Sequence, residues 1–387
     1  MLARRVLLLI ALAGIAGASP APTLTTRDRA RAAILGACVA DAASMGLHWI
    51  YSRNEIAWRM RERCRNSDDA DCTRRLEFHA PPASPDYGSH TRYGSFYVNG
   101  SSSPYFDETL PLLRHVARAG SFDPAAFARE SAAHVAAYGG YLNSVMRRFL
   151  AAERAGNAWP RSAVPHDTQA HALVKVPVLA ARYAGITGEL GARVAEAAAV
   201  HQRDAVPRDA AVFAAAVLER VILGETVEAA VVAEAHGGGS GAWARDALCM
   251  HGGADVGLAA DPCGSSTASR GDMLGRDCTL PGALQLALHA ALSPRGGLAG
   301  GGGRGGGGGR PSFADAVRGN IAAAGDSASR AIFLGALLGA AGGEAAIPEA
   351  FLNGVARARL AEVRELATRV ADAREAALEE AHRHEGL

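Results

Sequence analysis

Apolar residues recur at intervals of three and four along most of the chain, which is the spacing of one face of an α-helix. Gly and Pro separate the periodic stretches, as expected at helix ends. The pattern predicts helices over residues 27–50, 110–119, 124–155, 168–183, 190–200, 208–223, 227–235, 281–292 and 356–384, and another from Phe313. Alternation of apolar and polar residues, typical of a half-buried strand, is almost absent. The sequence therefore predicts an all-α fold, a single compact multi-helix domain over residues 27–387.

Two stretches lack the helical period. Residues 51–105 are rich in Pro, Gly, Ser and Asp, which predicts a long irregular segment. Residues 296–309 are nearly pure glycine, and such a segment cannot repay the entropy lost on ordering, so it predicts a flexible surface loop. It lacks the order of Gly, Lys and Ser/Thr that a phosphate-binding loop needs.

Composition and charge narrow the class of protein. The chain of 387 residues has 40 Lys and Arg against 39 Asp and Glu, a formal net charge of +1. This balance argues against nucleic acid as a partner, because phosphate neutralisation needs clustered positive charge. Of six cysteines, Cys64 and Cys72 share one polar segment, which predicts a local disulfide between them. No Cys and His spacing is typical of a zinc site.

Two acidic segments lie where helices are expected to begin. In the first, Pro111 sets the helix start around residues 107–109, so that Asp107 and Glu108 fall at the positive end of the helix dipole. Neighbouring carboxylates are ligands that Mg²⁺ uses in proteins. The alternative is that Asp107 or Thr109 only caps the helix.

The second segment begins with Gly325 and Asp326. Asp326 is predicted to be an N-cap, and the Ser329 hydroxyl can point past the same helix end. The uncharged run over residues 331–343 is too short to span a membrane and predicts a buried core helix. Within it, Gly335 and Gly339 are four residues apart, which permits a very close approach by another helix.

Several segments, taken in order, resemble the ADP-ribosylglycohydrolase family and in particular its J1-crystallin-like branch. Their order and intervals match over most of the chain. The segments are residues 36–43, 47–51, 166–169, 201–202, 278–283, 325–339 and 347–349.

The resemblance implies an all-α domain in which two Mg²⁺ ions lie in a cleft that binds ADP-ribose. Carried over by position, the two ligand motifs leave four residues able to coordinate a metal: Asp107, Glu108, Asp326 and Ser329. Phe106 and Ala328 occupy ligand positions of the family but offer no ligand oxygen. One Mg²⁺ ion at most is therefore expected, weakly bound because it keeps several waters.

Two functions follow from this resemblance. In the first, the protein is a hydrolase that cleaves a glycosidic bond to ADP-ribose, with Asp107 and Glu108 catalytic and with Asp41, His48 and Gly325 at the cleft. In the second, it is a non-catalytic, crystallin-like structural or ADP-ribose-binding protein, since a fold does not guarantee activity. The sequence leaves both open, and the partner expected is ADP-ribose or an ADP-ribosylated substrate.

The N-terminus has the layout of a secretory signal peptide over residues 1–18. Arg4 and Arg5 precede a 13-residue apolar stretch, and small residues at 16–18 offer a cleavage site. The stretch is too short to span a membrane comfortably, so no membrane span is expected after processing. A secreted or lumenal protein is therefore predicted; an uncleaved anchor and an organelle transit peptide are the alternatives.

Cleavage after Ala18 gives a mature chain that begins at Ser19. N-terminal sequencing of the protein from its native host checks this expectation. A mature chain that retains Met1 or Arg4 would contradict it.

Overall fold

The computed structural model describes residues 23–80, 98–237, 240–247, 267–293 and 311–385. These residues form α-helices, short 3₁₀ turns and three isolated bridges, and no β-strand occurs among them, so the all-α prediction is confirmed. The helices are α1 Thr26–Ser44, α2 Arg53–Arg63, α3 Pro104–Ala119, α4 Pro124–Ala137, α5 Ser144–Arg154, α6 Val176–Tyr183, α7 Glu189–His201, α8 Ala205–Ile222, α9 Val227–Ala235, α10 Gly241–Ala247, α11 Thr267–Leu274, α12 Gly282–Leu292, α13 Phe313–Ala322, α14 Ser327–Gly342, α15 Glu349–Gly354 and α16 Arg357–Glu385.

The predicted signal peptide at residues 1–18 and the predicted glycine loop at 296–309 lie outside the described residues. Within the described ranges, the segment Thr26–Leu47 is long and apolar enough to cross a membrane, but nearly all of it is buried in the protein. A core helix passes the same test of length and composition. Burial by neighbouring helices is sufficient to explain its apolar character.

Helices α1 and α14 form the centre of the molecule. Residues 32–48 are buried without interruption, as are residues 327–337, so both helices are covered on all sides. A Cβ added to Gly36 of α1 would lie 2.2 Å from the carbonyl oxygen of Gly335, and one on Gly339 would lie 2.2 Å from the carbonyl oxygen of Ala32. Glycine is therefore required for the two backbones to touch.

Helix α3 begins earlier than predicted, and the expectation that Pro111 marks its start was wrong. Ser103 is the N-cap, with its hydroxyl accepting from the Tyr105 N–H, and Pro104 is the proline of the first turn. Pro111 lies inside the helix and removes the N–H that would donate to the carbonyl of Asp107. The ring of His134, from α4, hydrogen-bonds to the backbone of Asp107.

Other boundaries also differ from the prediction. The single helix expected over 124–155 is divided into α4 and α5 by a non-helical segment, and Asn143 starts α5 as its N-cap. Residues 168–172 are not helical, and α2 lies in the segment predicted to be irregular. Helix α7 ends at His201, one residue beyond the predicted end at residue 200.

The predicted local disulfide is confirmed, since Cys64 and Cys72 are bonded. It joins the C-terminal end of α2 to the 3₁₀ turn Cys72–Arg74. Two of the remaining cysteines are described, and both are free thiols: Cys38 is buried in α1 and Cys278 is partly buried.

The glycine contact between α1 and α14 predicts a large stability cost for a single methyl group. Gly36→Ala should lower the free energy of unfolding by about 3 kcal/mol, because the new Cβ meets backbone that cannot move aside. Urea denaturation measures the change. Gly191→Ala is the matched control, since the nearest atom to its Cβ lies at 3.9 Å, and it should be neutral or stabilise by up to about 1 kcal/mol. Equal effects of the two variants would contradict the account.

Candidate functional site

The close packing of α1 and α14 brings together the segments that follow the first helix and precede the second. The Trp49 N–H donates to the Gly325 carbonyl over 2.8 Å, and the Gly325 N–H donates to the Ile50 carbonyl over 2.7 Å. Gly325 has a φ of +70°, and a Cβ there would lie 2.0 Å from the carbonyl oxygen of Arg276. The structure thus places Gly325 in this backbone bridge.

Asp326 is fully buried and accepts hydrogen bonds from the protein at both oxygens. Oδ1 lies 2.9 Å from Trp49 Nε1 and 3.1 Å from His48 Nε2, and Oδ2 accepts from the Ser329 hydroxyl. The His48 Nδ1 accepts from the Ala328 N–H over 3.1 Å, so the ring proton is on Nε2 and faces the carboxyl group. Burial lowers the pKa of His48 to about 4, against the effect of Asp326.

Trp49 connects this cluster to a cavity. Its φ is +65°, a conformation that costs energy for a bulky residue and that the hydrogen bonds to Gly325 and Asp326 hold in place. Its ring meets the Tyr141 ring edge-on, with centroids 5.2 Å apart. Tyr141 is part of the cavity wall. Asp326 therefore lies behind Trp49 rather than in the wall itself.

The cavity has a volume of about 520 Å³, and Asp107 lies in its wall. One oxygen of Asp107 is 3.0 Å from Nη2 of Arg359 in α16, and the other accepts from the Tyr138 hydroxyl over 2.7 Å. Burial raises the pKa of Asp107 above its usual range, although Arg359 and Tyr138 oppose the shift. Ser101, Ser102 and the glycines at 139 and 140 complete this part of the wall.

Glu108 points away from the large cavity into a buried polar cluster. Its Oε2 lies 2.8 Å from Nδ1 of His171, and its Oε1 accepts from the side chain of Asn143. Lys175 donates to the backbone carbonyl of His171 over 2.5 Å, and burial lowers the pKa of Lys175 to about 8, against the effect of Glu108. The Glu108 carboxyl group is therefore held by its own set of donors.

Asp41 lies inside α1 and supports the start of α3. Its carboxyl group accepts from the backbone N–H of Ser103 over 2.7 Å and also bonds to the Ser103 hydroxyl. Burial raises the pKa of Asp41 to about 8, although both bonds from Ser103 oppose this shift. Asp41 thus binds the N-cap of the helix that carries Asp107.

The four predicted ligands do not meet at a common point. Within the described part of the chain, no group of three or more His, Cys, Asp and Glu side chains is arranged to hold a metal ion. Asp107, Glu108 and Asp326 each bind separate protein donors through both oxygens. As arranged, these groups do not fit a divalent cation, and the single Mg²⁺ ion expected from the sequence stays a prediction.

Several residues of the site were missed by sequence analysis. Arg359 lies in the terminal helix, at the edge of the buried face of α16. Tyr138 and Tyr141 lie in a stretch predicted to be helical. One capping residue could have revealed them, because Asn143 is a typical N-cap. A helix that begins there leaves Tyr138 and Tyr141 in the non-helical segment that lines the cavity.

The buried carboxyl group of Asp41 predicts a pH-dependent loss of stability. In the unfolded chain this group ionises near pH 4, whereas in the folded protein it keeps its proton up to about pH 8, so stability should fall as pH rises between these values. Asp41→Asn should flatten this fall, as measured by urea unfolding at pH 5 and pH 8.5. Asp209→Asn, at a partly exposed surface pair, is the control and should leave the slope unchanged. An unchanged slope in Asp41→Asn would contradict the assignment.

Comparisons with known proteins agree with the fold. The family model described as ADP-ribosylglycohydrolase matches residues 22–380. A solved structure titled "ADP-ribosylglycohydrolase-related protein complex" superimposes with a TM-score of 0.58 and 18% identity, covering 90% of this chain and 99% of that one, which shows a shared fold.

Two curated relatives match over a shorter segment. Crystallin J1A and Crystallin J1B of Tripedalia cystophora are 36% and 34% identical to this chain over 90 residues, which is 23% of this chain and 22% of each relative. The aligned part thus spans about a fifth of these relatives. The match of the family model over nearly the whole length is the broader finding. The chain belongs to the ADP-ribosylglycohydrolase family.

Proposed function

We propose that the protein binds ADP-ribose in the cavity beside Asp107 and hydrolyses the glycosidic bond between ADP-ribose and a substrate side chain. The observation that carries the proposal is the position of Asp107, a carboxyl group in the wall of a cavity of about 520 Å³. Family membership supports a hydrolase-like function. Glycosidic hydrolysis needs a carboxylate near the anomeric carbon, as a base or a stabiliser.

The remaining wall offers groups that a nucleotide sugar can use, and it also holds the carboxyl group of Glu362. Arg359 offers a guanidinium group to a diphosphate, and Ser101 and Ser102 offer hydroxyl groups. The rings of Tyr138 and Tyr141 offer surfaces on which a base or a ribose can pack. These donors and rings support ADP-ribose as the ligand.

Asp107 is the proposed base, and Glu108 has a different role. The Asp107 carboxyl group faces the cavity, and its raised pKa makes it a better proton acceptor for an attacking water than an ordinary aspartate. Glu108 is bonded to His171 and Asn143 behind the wall, so we assign it to fixing the position of α3 against its neighbours.

A second function, binding of ADP-ribose without catalysis, is favoured by one specific observation. Asp107, Glu108 and Asp326 all use both oxygens in bonds to the protein, so an attacking water would have to compete with these protein donors for each carboxyl group. The names of the two crystallin relatives fit such a non-catalytic role. Export to a lumen or the exterior, as proposed from the N-terminal sequence, is compatible with either function.

Asp107→Asn separates the two functions. If the protein is a hydrolase, the variant should lose at least about 100-fold in kcat on an ADP-ribosylated peptide while it still binds ADP-ribose, because Asn cannot accept the proton but leaves Arg359 in the wall. Product release by chromatography and ADP-ribose titration by calorimetry measure the two quantities. Asp209→Asn is the control for both.

Two other outcomes are decisive. Wild-type protein that binds ADP-ribose but turns over no ADP-ribosylated arginine or serine peptide supports the binding function instead. Wild-type protein that does not bind ADP-ribose contradicts both functions.

A further inference from the structure

Arg359 occupies the position beside Asp107 that a cation would need. Its Nη2 lies 3.0 Å from Oδ1 of Asp107, and the Tyr138 hydroxyl takes Oδ2 over 2.7 Å. The side chains of Asp107 and Arg359 are 16% and 24% exposed, so water screens this ion pair only in part. Both oxygens of the carboxyl group are in use before any ligand enters.

A second ion pair holds Arg359 in place. Nη1 of Arg359 is 3.3 Å from Oε2 of Glu362, one turn along α16, and Glu362 also bonds the guanidinium of Arg114 on α3. Helices α3 and α16 are thus joined at two points, Asp107 with Arg359 and Arg114 with Glu362. The second point offers a control, because it joins the same helices without touching Asp107.

A guanidinium group and a divalent cation are alternatives at Asp107. Mg²⁺ requires close oxygen ligands in nearly octahedral geometry, and it would have to displace Arg359 from Oδ1. A Mg²⁺ ion at Asp107 would also repel the positive charge of Arg359. Arginine stays protonated at every pH that proteins tolerate, so it cannot relieve this repulsion by losing a proton. The positive charge at this position is therefore already supplied by the chain.

We propose that Arg359 is the resident cation of this site: it closes Asp107 to Mg²⁺ and presents a permanent positive charge to a phosphate-bearing ligand in the cavity. The part about the ligand rests on the proposed function, whereas the part about Mg²⁺ does not. Because of Arg359, binding of a phosphate-bearing ligand in this cavity does not depend on divalent cations. This differs from the two-metal arrangement that the resemblance to the family implies.

The test is a titration of Mg²⁺ into three full-length proteins, with no nucleotide present. Wild type and Arg114→Met should show no Mg²⁺ binding that depends on Asp107, whereas Arg359→Met should bind Mg²⁺ at least about tenfold more tightly than wild type. The double variant Arg359→Met with Asp107→Asn should lose this gain. If Arg359→Met does not fold, Arg359→Gln carries the same expectation, because it keeps a donor to Asp107 without the charge.

Two results would overturn the proposal. One is wild-type Mg²⁺ binding that Asp107→Asn abolishes, and the other is a folded, uncharged Arg359 variant that gains no Mg²⁺ affinity over wild type.

A separate titration with ADP-ribose, with and without EDTA, tests the ligand part. EDTA should leave the wild-type affinity unchanged, and Arg359→Met should weaken it at least about tenfold. An affinity that falls with EDTA, or that is unchanged in Arg359→Met, contradicts the ligand part. Absence of ADP-ribose binding by the wild type means that the proposed function has failed, while the Mg²⁺ result still stands.

Discussion

The contact between α1 and α14 determines the rest of the site. Because Gly36, Gly335 and Gly339 carry no Cβ, the two backbones meet directly, and the ends of both helices are brought side by side. His48 and Trp49, which follow α1, therefore reach Asp326, which precedes α14. A wider spacing would break the contacts of the buried Asp326 carboxyl group with His48 and Trp49, which is costly in a low-dielectric interior.

Burial imposes a second constraint on the acidic residues. Asp41, Glu108 and Asp326 are buried, and Asp107 is mostly buried, so each must be neutralised or fully hydrogen-bonded. The chain meets this requirement with separate sets of donors: Ser103 for Asp41, an arginine and a tyrosine for Asp107, and histidine with other donors for Glu108 and Asp326. The result is a polar centre in which each of these carboxyl groups has donors from the protein.

The sequence predicted those features that depend on local or ordered patterns. The helical period revealed the all-α class, the glycines at 335 and 339 indicated the close helix packing, and the proximity of Cys64 and Cys72 indicated their disulfide. Asp326 was correctly predicted at the N-cap position. It was not foreseen that its side chain would contact His48 and Trp49 and accept from the Ser329 hydroxyl instead of accepting from backbone N–H groups of the helix. Arg359 is 252 residues from Asp107, and nothing in a charged helix of this kind distinguishes one partly buried arginine from its exposed neighbours.

The central claim is that the protein's own arginine provides the positive charge beside Asp107 in a cavity that receives ADP-ribose. A structure from crystals grown with ADP-ribose and Mn²⁺ tests it most directly. Mn²⁺ replaces Mg²⁺ here because its anomalous scattering locates the ion. The account predicts a diphosphate near Arg359, with the Arg359–Asp107 pair intact and no anomalous peak at Asp107. A Mn²⁺ ion coordinated by Asp107, with Arg359 turned away, would contradict it.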